Sequence, residues 1–218
     1  LEAFERVADK SDLYVDARIQ AAYLYDRKEQ TQKAIEVLQP PLQKRGERKE
    51  IYAFLSSLYR KTKEYPKAIQ AMERVVTLDP KSDEAHFQLG ALHDENKNKE
   101  KSMASMKKAI ELNPKNAAAL NYLGYTWAEM GVQLEEAEDL IQRALKIQPN
   151  DGFYIDSLGW VYYQKGDYPR AVEQLERAVQ LTVDDPTIIE HLGDAYEKAG
   201  APDRAVIRYR EALKHSKE

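Results

Sequence analysis

A short motif recurs six times along this 218-residue chain at an almost constant spacing. Each copy starts with leucine or alanine, continues with a small residue, and in most copies has an aromatic residue three positions after the small one. The leading residues are Ala21, Leu55, Leu89, Leu123, Leu158 and Leu192. Their separations of 34, 34, 34, 35 and 34 residues are too regular for chance, so the chain is an array of structural repeats.

Each repeat predicts two helices joined by a tight turn. In the fifth copy Ile155, Leu158 and Tyr162 are three and four residues apart, which places them on one stripe of an α-helix. Gly166 follows where a left-handed C-terminal cap favours glycine. Pro169 stands where a second helix would begin, a position at which the missing N–H costs little.

Small residues recur where the two helices of a repeat would touch. The column on the first helix is Ala22, Ser56, Gly90, Gly124, Gly159 and Gly193. The column on the second helix is Ala34, Ala68, Ser102, Ala137, Ala171 and Ala205. Larger side chains in either column would force the helices apart, so both columns predict a close approach of the two backbones.

The pattern resembles the tetratricopeptide repeat family over essentially the whole chain. The resemblance rests on Leu–Gly pairs such as Leu158–Gly159, on aromatic residues such as Trp127, on Ala171 and Ala178, and on closing prolines such as Pro149. It implies an all-α fold, a right-handed superhelical solenoid of antiparallel helix pairs. It also implies that the first helices line a concave groove.

The period divides the chain into one continuous solenoid domain of consecutive repeats. Residues 1–14 are expected to be the second helix of a preceding truncated repeat, with Phe4 and Val7 in its core. The repeats that follow are 15–48, 49–82, 83–116, 117–151, 152–185 and 186–218. Pro40 and Pro41 are expected to end or kink the second helix of the first repeat near Gln39. The chain is expected to start inside a helix and to end without a polar capping helix, so we expect a piece of a longer protein. The repeat-rich, cysteine-free sequence favours a bacterial protein.

Charge and composition limit the kinds of partner and site that this chain is expected to have. Residues 1–116 hold 22 Lys/Arg and 19 Asp/Glu, whereas residues 117–218 hold 11 and 18, so the C-terminal half is acidic and nucleic acid is not expected as a partner. Cysteine is absent, and no run approaches 18 apolar residues, so neither a thiolate site nor direct membrane insertion is predicted.

His86 and His93 occupy columns that other repeats fill with core residues, which argues against a metal site. No nucleotide, metal or nucleophile motif is present, so we expect neither a cofactor nor enzymatic activity.

The candidate binding residues lie on the first helices of repeats four to six. Each helical residue advances about 100°, so Asp156, Trp160 and Tyr163 share a stripe directed away from the second helix, toward the groove that the resemblance implies. The full set is Asn121, Tyr122, Tyr125, Phe153, Asp156, Ser157, Trp160, Tyr163, Glu190, His191, Asp194 and Glu197. It combines an aromatic patch with an acidic end.

We therefore predict a non-catalytic protein–protein interaction scaffold that binds a peptide with apolar and basic residues in this groove. Three alternatives stay open at this point. Tyr125, Trp160 and Tyr163 would fill space between neighbouring helices instead of binding a ligand. The uncapped ends, through Val206, Ile207 or Leu213, would mediate self-association or assembly. The repeats would serve a catalytic domain elsewhere in a longer protein.

Overall fold

The computed structural model describes residues 1–216, apart from the side chains of residues 43–45. Within this part the chain is built of helices and turns, and the predicted all-α architecture of consecutive helix pairs is confirmed. The helices are α1 (Glu2–Glu5), α2 (Tyr14–Arg27), α3 (Thr31–Arg45), α4 (Lys49–Lys61), α5 (Tyr65–Leu78), α6 (Asp83–Glu95), α7 (Lys99–Leu112), α8 (Ala117–Glu129), α9 (Leu134–Ile147), α10 (Gly152–Gln164), α11 (Tyr168–Leu181), α12 (Pro186–Lys198) and α13 (Pro202–His215). Among these described helices, none is both long and apolar enough to cross a bilayer.

The chain forms two compact units, Leu1–Lys108 and Ala109–Glu218, which divide within α7. In the first unit Leu38, Ile51 and Leu58 are buried in one apolar cluster. In the second unit Ile155 and Ile188 are buried together and join α10 to α12. The last two residues of predicted repeat six, 217 and 218, lie outside the described residues.

The close approach expected between paired helices is confirmed in both units. A Cβ atom added to Gly159 would lie 2.6 Å from Cγ of Leu175, and one added to Gly124 would lie 2.7 Å from Cγ1 of Ile141. In the first unit the Ser56 hydroxyl donates to the carbonyl of Ala68 at 2.9 Å. The small column therefore holds the two helices at a separation that leaves no room for a larger residue in repeats four and five.

The turn inside each repeat contains a residue in the left-handed region. Gly166 takes this conformation with φ +77°, which confirms the predicted cap. Glu29, Lys63 and Lys97 take it with φ of 58°, 60° and 63° in the first three repeats, although none is glycine. The turn geometry is thus common to these repeats, while the glycine that favours it is not.

Side-chain caps mark where the first helices of repeats three to six begin. Asp151 accepts hydrogen bonds from the amides of Phe153 and Tyr154 at the start of α10. Asp185 caps α12 in the same way through the amides of Thr187 and Ile188. These caps satisfy amides that the helix leaves without an intrahelical acceptor.

Of the two outcomes expected near Gln39, an end or a kink of the second helix of repeat one, the first is wrong. Helix α3 continues through Pro40 and Pro41 to Arg45. A proline φ of about −65° fits a helix. Leu38 is fully buried before the prolines and Leu42 packs against the same cluster after them, so core packing carries the helix across the lost hydrogen bonds.

The N-terminal helix is shorter than expected. Helix α1 covers Glu2–Glu5, and no helix extends over the rest of residues 6–13. Phe4, which we expected in the core, is 36% exposed. The Ser11 hydroxyl oxygen accepts a hydrogen bond from the Leu13 amide, a local turn of the kind that competes with helix formation.

Candidate functional site

The predicted binding residues all lie in the second unit, on α8, α10 and α12. Helix α10 packs against both of the others. Asn121, Tyr122 and Tyr125 are on α8, and the four residues of the acidic end are on α12. Each of these three helices starts at a residue whose side chain caps it.

Four aromatic rings from α10, α11 and α12 lie in contact with one another, three of them stacked face to face and one edge-on. The Trp160 ring lies parallel to Tyr163, with centroids 4.6 Å apart and planes 6° apart. Its other face stacks on the His191 ring at 4.2 Å and 19°. Tyr168 meets Tyr163 edge-on at 5.7 Å. Both faces of the half-buried Trp160 are therefore covered by the protein, and the packing interpretation of this ring has a direct structural basis.

Asp156 and His191 form a buried polar pair next to the Trp160 ring. Nδ1 of His191 is 2.9 Å from Oδ1 of Asp156, and both residues are buried. Burial favours the neutral imidazole, but the hydrogen bond and charge of Asp156, with the charges of Asp194 and Glu190, outweigh it and raise the pKa of His191. The pair therefore joins α10 to α12 through a charge-assisted contact.

A cavity of about 300 Å³ opens beside this pair between the three helices. Six of the twelve predicted residues line it: Asn121, Tyr122, Tyr125, Phe153, Asp156 and Ser157. Asp185, Thr187 and Ile188 complete the lining from the start of α12. Phe153 is 57% exposed, so an aromatic ring is available to a ligand at this cavity.

Two buried polar atoms of the predicted set have no hydrogen-bond partner among the described residues. They are Oδ1 of Asn121, on a residue that lines the cavity, and Nε1 of Trp160 in the ring stack. Burial, with the charges of Glu129 and Asp156, also raises the pKa of the Tyr125 hydroxyl far above its ordinary value. At neutral pH the Tyr125 hydroxyl is therefore protonated, and the side chain carries no charge.

The acidic end is not part of the cavity. Asp194 and Glu197 accept hydrogen bonds from the Tyr209 hydroxyl of α13, at 2.7 Å and 3.0 Å. Glu190 is exposed and lines a different, smaller cavity with Tyr209. The sequence pattern placed these acids on one stripe with the rings, but it did not reveal that a tyrosine from the second helix would bind two of them.

Four residues around these rings and this cavity were not predicted from the sequence. Asp185, Thr187 and Ile188 lie at the start of α12, outside the helical stripe that carries the predicted residues. Tyr168 lies on α11, a second helix. The cap signal Asp185-Pro186 was visible in the sequence and indicates the start of α12.

The histidines of repeat three behave as structural residues. His93 is buried, and burial lowers its pKa, while Nε2 of His86 is 3.3 Å from the carbonyl oxygen of Pro80. The described residues contain no group of three or more His, Cys, Asp or Glu side chains suited to a metal ion.

Family models agree with the helix pairs and their spacing. One tetratricopeptide repeat model matches residues 49–82 and 83–116, another matches 105–139, and a TPR repeat model matches 159–200. The chain belongs to the tetratricopeptide repeat (TPR) family. The first two matched segments begin where α4 and α6 begin, so the sequence repeats and the helix pairs share one register.

Individual relatives and structures are similar to parts or all of this TPR chain. A TPR repeat-containing protein of Pseudomonas aeruginosa is 42% identical over 59 residues, which are 27% of this chain and 10% of that protein. The crystal structure of MamA protein has a TM-score of 0.62 at 26% identity and covers 78% of this chain and 92% of its own. PilW, a type IV pilus biogenesis factor, has a TM-score of 0.75 at 18% identity, covers 91% of each chain, and supports the fold alone.

TPR proteins bind other proteins, and the repeats indicate a protein-interaction scaffold. TPR scaffold families are generally non-catalytic. The bacterial relative agrees with the bacterial character expected from the sequence.

Proposed function

We propose that this chain binds a peptide segment with apolar and basic residues in the cavity between α8, α10 and α12. The observation that carries the proposal is the exposed Phe153 ring beside a cavity whose other walls include Tyr122 and Tyr125. Aromatic side chains provide a large contact area with few rotatable bonds, which is why they anchor many interfaces. The cavity volume of about 300 Å³ suits one or two inserted side chains rather than a whole folded domain.

Electrostatics support a basic ligand. The described lining residues include the carboxylates of Asp156 and Asp185 and no Lys or Arg. The surrounding half of the chain, residues 117–218, holds 18 Asp/Glu and 11 Lys/Arg. A peptide lysine or arginine is therefore attracted to this region, and an acidic peptide is repelled.

Asn121 offers a polar group at the cavity once its side chain turns. Its Oδ1 is buried and has an unused capacity to accept a hydrogen bond. Rotation of the amide toward the cavity would let a peptide N–H satisfy it, and burying an acceptor without a donor is otherwise unfavourable.

The proposed role is non-catalytic. The Ser157 hydroxyl, the nearest candidate nucleophile, donates to the Phe153 carbonyl at 2.9 Å inside its own helix. His191 is committed to Asp156 and to the Trp160 ring. No hydrogen bond joins Ser157 to His191 in the described part of the chain, which favours a non-catalytic role.

The test is selection of peptides from a random phage-displayed library on the whole chain, followed by affinity measurement with synthetic copies. We expect the selected sequences to be enriched in Lys or Arg next to bulky apolar residues. Replacing Phe153 by alanine should weaken their binding about tenfold or more, since truncating a central aromatic contact typically costs at least ~1–2 kcal/mol. Tyr23→Ala is the matched control, because Tyr23 is 51% exposed and lies on α2 in the other unit.

Two results would refute the proposal. One is a set of selected peptides without basic residues. The other is an equal loss of affinity in the Phe153→Ala and Tyr23→Ala variants, which would show that the cavity is not the binding surface.

Self-association is the second candidate function, and it rests on α13. Val206, Ile207 and Leu213 are 45%, 59% and 60% exposed on this helix, an unusual concentration of exposed apolar side chains. Sedimentation at increasing protein concentration tests the idea. A rise in mass that Leu213→Asp abolishes and Phe153→Ala does not would favour self-association over peptide binding.

A further inference from the structure

A larger cavity, of about 420 Å³, lies in the first unit between α3 and α5 and above α4. Its floor is apolar and includes Leu42 and Ala71. Tyr52 and Tyr59, one helical face of α4, form half-buried walls. The volume falls within the range of about 300–1,000 Å³ that is usual for ligand sites.

Two side chains around this cavity differ from those at the same places in repeats four or five. Ala71 stands at the place that the buried Leu140 occupies in α9, and its shorter side chain leaves space. Tyr52 stands where the fully buried Ile155 lies in α10. The tyrosine keeps its hydroxyl at the surface, so the space stays open at one side instead of collapsing.

An arginine at the rim is also used differently from its counterparts. Arg143 and Arg177 occupy the same repeat position as Arg74, and their guanidinium groups donate to the carbonyls of Pro114 and Pro149 at 3.4 Å and 2.8 Å. Those two arginines therefore tie a helix to the preceding turn. Arg74 pairs instead with a carboxylate outside its own helix, whereas the carboxylate 3.6 Å from Arg143, that of Asp139, lies on the same helix.

The partner of Arg74 is Glu47, in the linker between α3 and α4. The Tyr52 hydroxyl donates to the same carboxylate at 3.3 Å. Lys67 is a second cation of the lining; it lies 5.5 Å from the Tyr59 ring centroid and pairs with Glu64. Both cations of the rim thus already hold a carboxylate, and Arg74 shares its carboxylate with the Tyr52 hydroxyl. No Asp or Glu is among the described residues that line the cavity itself.

We propose that this cavity binds an internal acidic segment of a partner protein. A bulky apolar side chain of the segment inserts between Tyr52 and Tyr59, and its neighbouring carboxylate takes the place of Glu47 on Arg74 and Tyr52. The side chains of the Arg74–Glu47 pair are 41% and 43% exposed, and surface pairs of this kind contribute little to stability, so the exchange is inexpensive. The charge preference is opposite to that of the groove in the second unit, which makes this a separate site.

The experiment uses a fluorescein-labelled peptide that alternates glutamate with leucine and phenylalanine and is blocked at both ends, so that only side-chain carboxylates are offered. A counterpart with glutamine in place of glutamate is the reference. Fluorescence anisotropy at low salt is expected to show at least tenfold tighter binding of the acidic peptide to the whole chain.

Variants locate the site. Arg74→Gln should weaken binding of the acidic peptide at least fivefold, and Tyr52→Phe should weaken it by a smaller factor while keeping the ring. Glu47→Gln should strengthen binding, because it removes the competing carboxylate. Arg143→Gln, the same substitution at the same repeat position, and Phe153→Ala, in the groove of the second unit, should leave the affinity unchanged. Melting curves for each variant check that the fold is retained.

Equal affinities for the two peptides would overturn the proposal. So would a Glu47→Gln variant that binds no better than wild type, or an effect of Arg143→Gln as large as that of Arg74→Gln. A loss of affinity for the acidic peptide that is seen only in the Phe153→Ala variant would also refute this site. Peptide binding by the second unit would still be decided by its own experiment.

Discussion

Replacing Gly159 by alanine tests the packing that sets the spacing of the groove helices. The added Cβ would lie 2.6 Å from Cγ and 3.0 Å from Cδ2 of Leu175, and 3.4 Å from the carbonyl oxygen of Ala171. Leu175 is fully buried, so its side chain has no open space to move into. The two helices must separate or Leu175 must leave its rotamer.

The magnitude follows from two opposing terms. Overpacking of a well-filled core costs typically 1–3 kcal/mol. Alanine in place of a mid-helix glycine stabilises by about 0.5–1 kcal/mol. Repeat one already combines Ala22 with the buried Leu38 in one cluster, so a helix pair of this kind can accommodate a methyl group, and the cost falls in the lower part of the range. We expect Gly159→Ala to lower the free energy of unfolding by about 1–2 kcal/mol.

A double-mutant cycle separates this contact from general damage. Leu175→Ala removes the atoms that the new Cβ meets and by itself should cost about 2–5 kcal/mol through the cavity it leaves. The double variant should be more stable than the sum of the two single effects by about 1 kcal/mol, because the methyl group then enters vacant space. Urea unfolding followed by circular dichroism measures all four proteins. Strict additivity would refute the assignment of Gly159 to this contact.

Three further predictions concern the turns, the caps and the buried histidine. Lys97→Gly should raise the free energy of unfolding by about 0.5–1 kcal/mol in a urea titration, because Lys97 holds φ +63° against the preference of an L-residue, and a neutral or destabilising result would contradict this. Asp185→Ala should lower the free energy of unfolding by about 1 kcal/mol through loss of two capping hydrogen bonds, whereas Asp185→Asn should retain most of this stabilisation. The pKa of His191 is raised in the folded protein. The stability that His191 contributes is therefore complete below its pKa in the unfolded chain, about 6.5, and is lost as the pH rises through its pKa in the folded protein. Urea titrations from about pH 5 to 9 should therefore show wild type losing stability relative to His191→Gln as the pH rises, and parallel curves for the two proteins would refute the role of the Asp156 pair.

Much of the fold was predictable because each repeat carries its own signals. The pairing of Gly159 with the second helix followed from a column of small residues, and the turn at Gly166 followed from one glycine. The same reasoning failed at Pro40 and Pro41, where local proline rules favoured an end to the helix and burial of Leu38 and Leu42 prevailed. It failed again over residues 6–13, where a helical repeat pattern met a local Ser11 turn.

The candidate site was predictable in outline only. Helical periodicity identified the stripe that carries Phe153, Asp156 and Trp160, and six predicted residues do line one cavity. Periodicity gives the direction of a side chain from its own helix, but it does not say which atoms of the next helix it meets. The burial of the Asp156–His191 pair and the capture of Asp194 by Tyr209 depend on such contacts between elements.

By itself, then, the sequence determined the repeat period, the helix pairs, the small-residue contacts within each pair and the acidic character of the second half of the chain. These depend on interactions between residues close in the sequence, or on one position repeated many times. Only the tertiary structure decided that Trp160 is covered on both faces, that Phe153 is exposed beside a cavity, and that Ala71 and Tyr52 leave a second cavity beside Arg74. Each of these depends on side chains from two or three helices that share a limited volume, and the available volume is set by how the helices pack on one another.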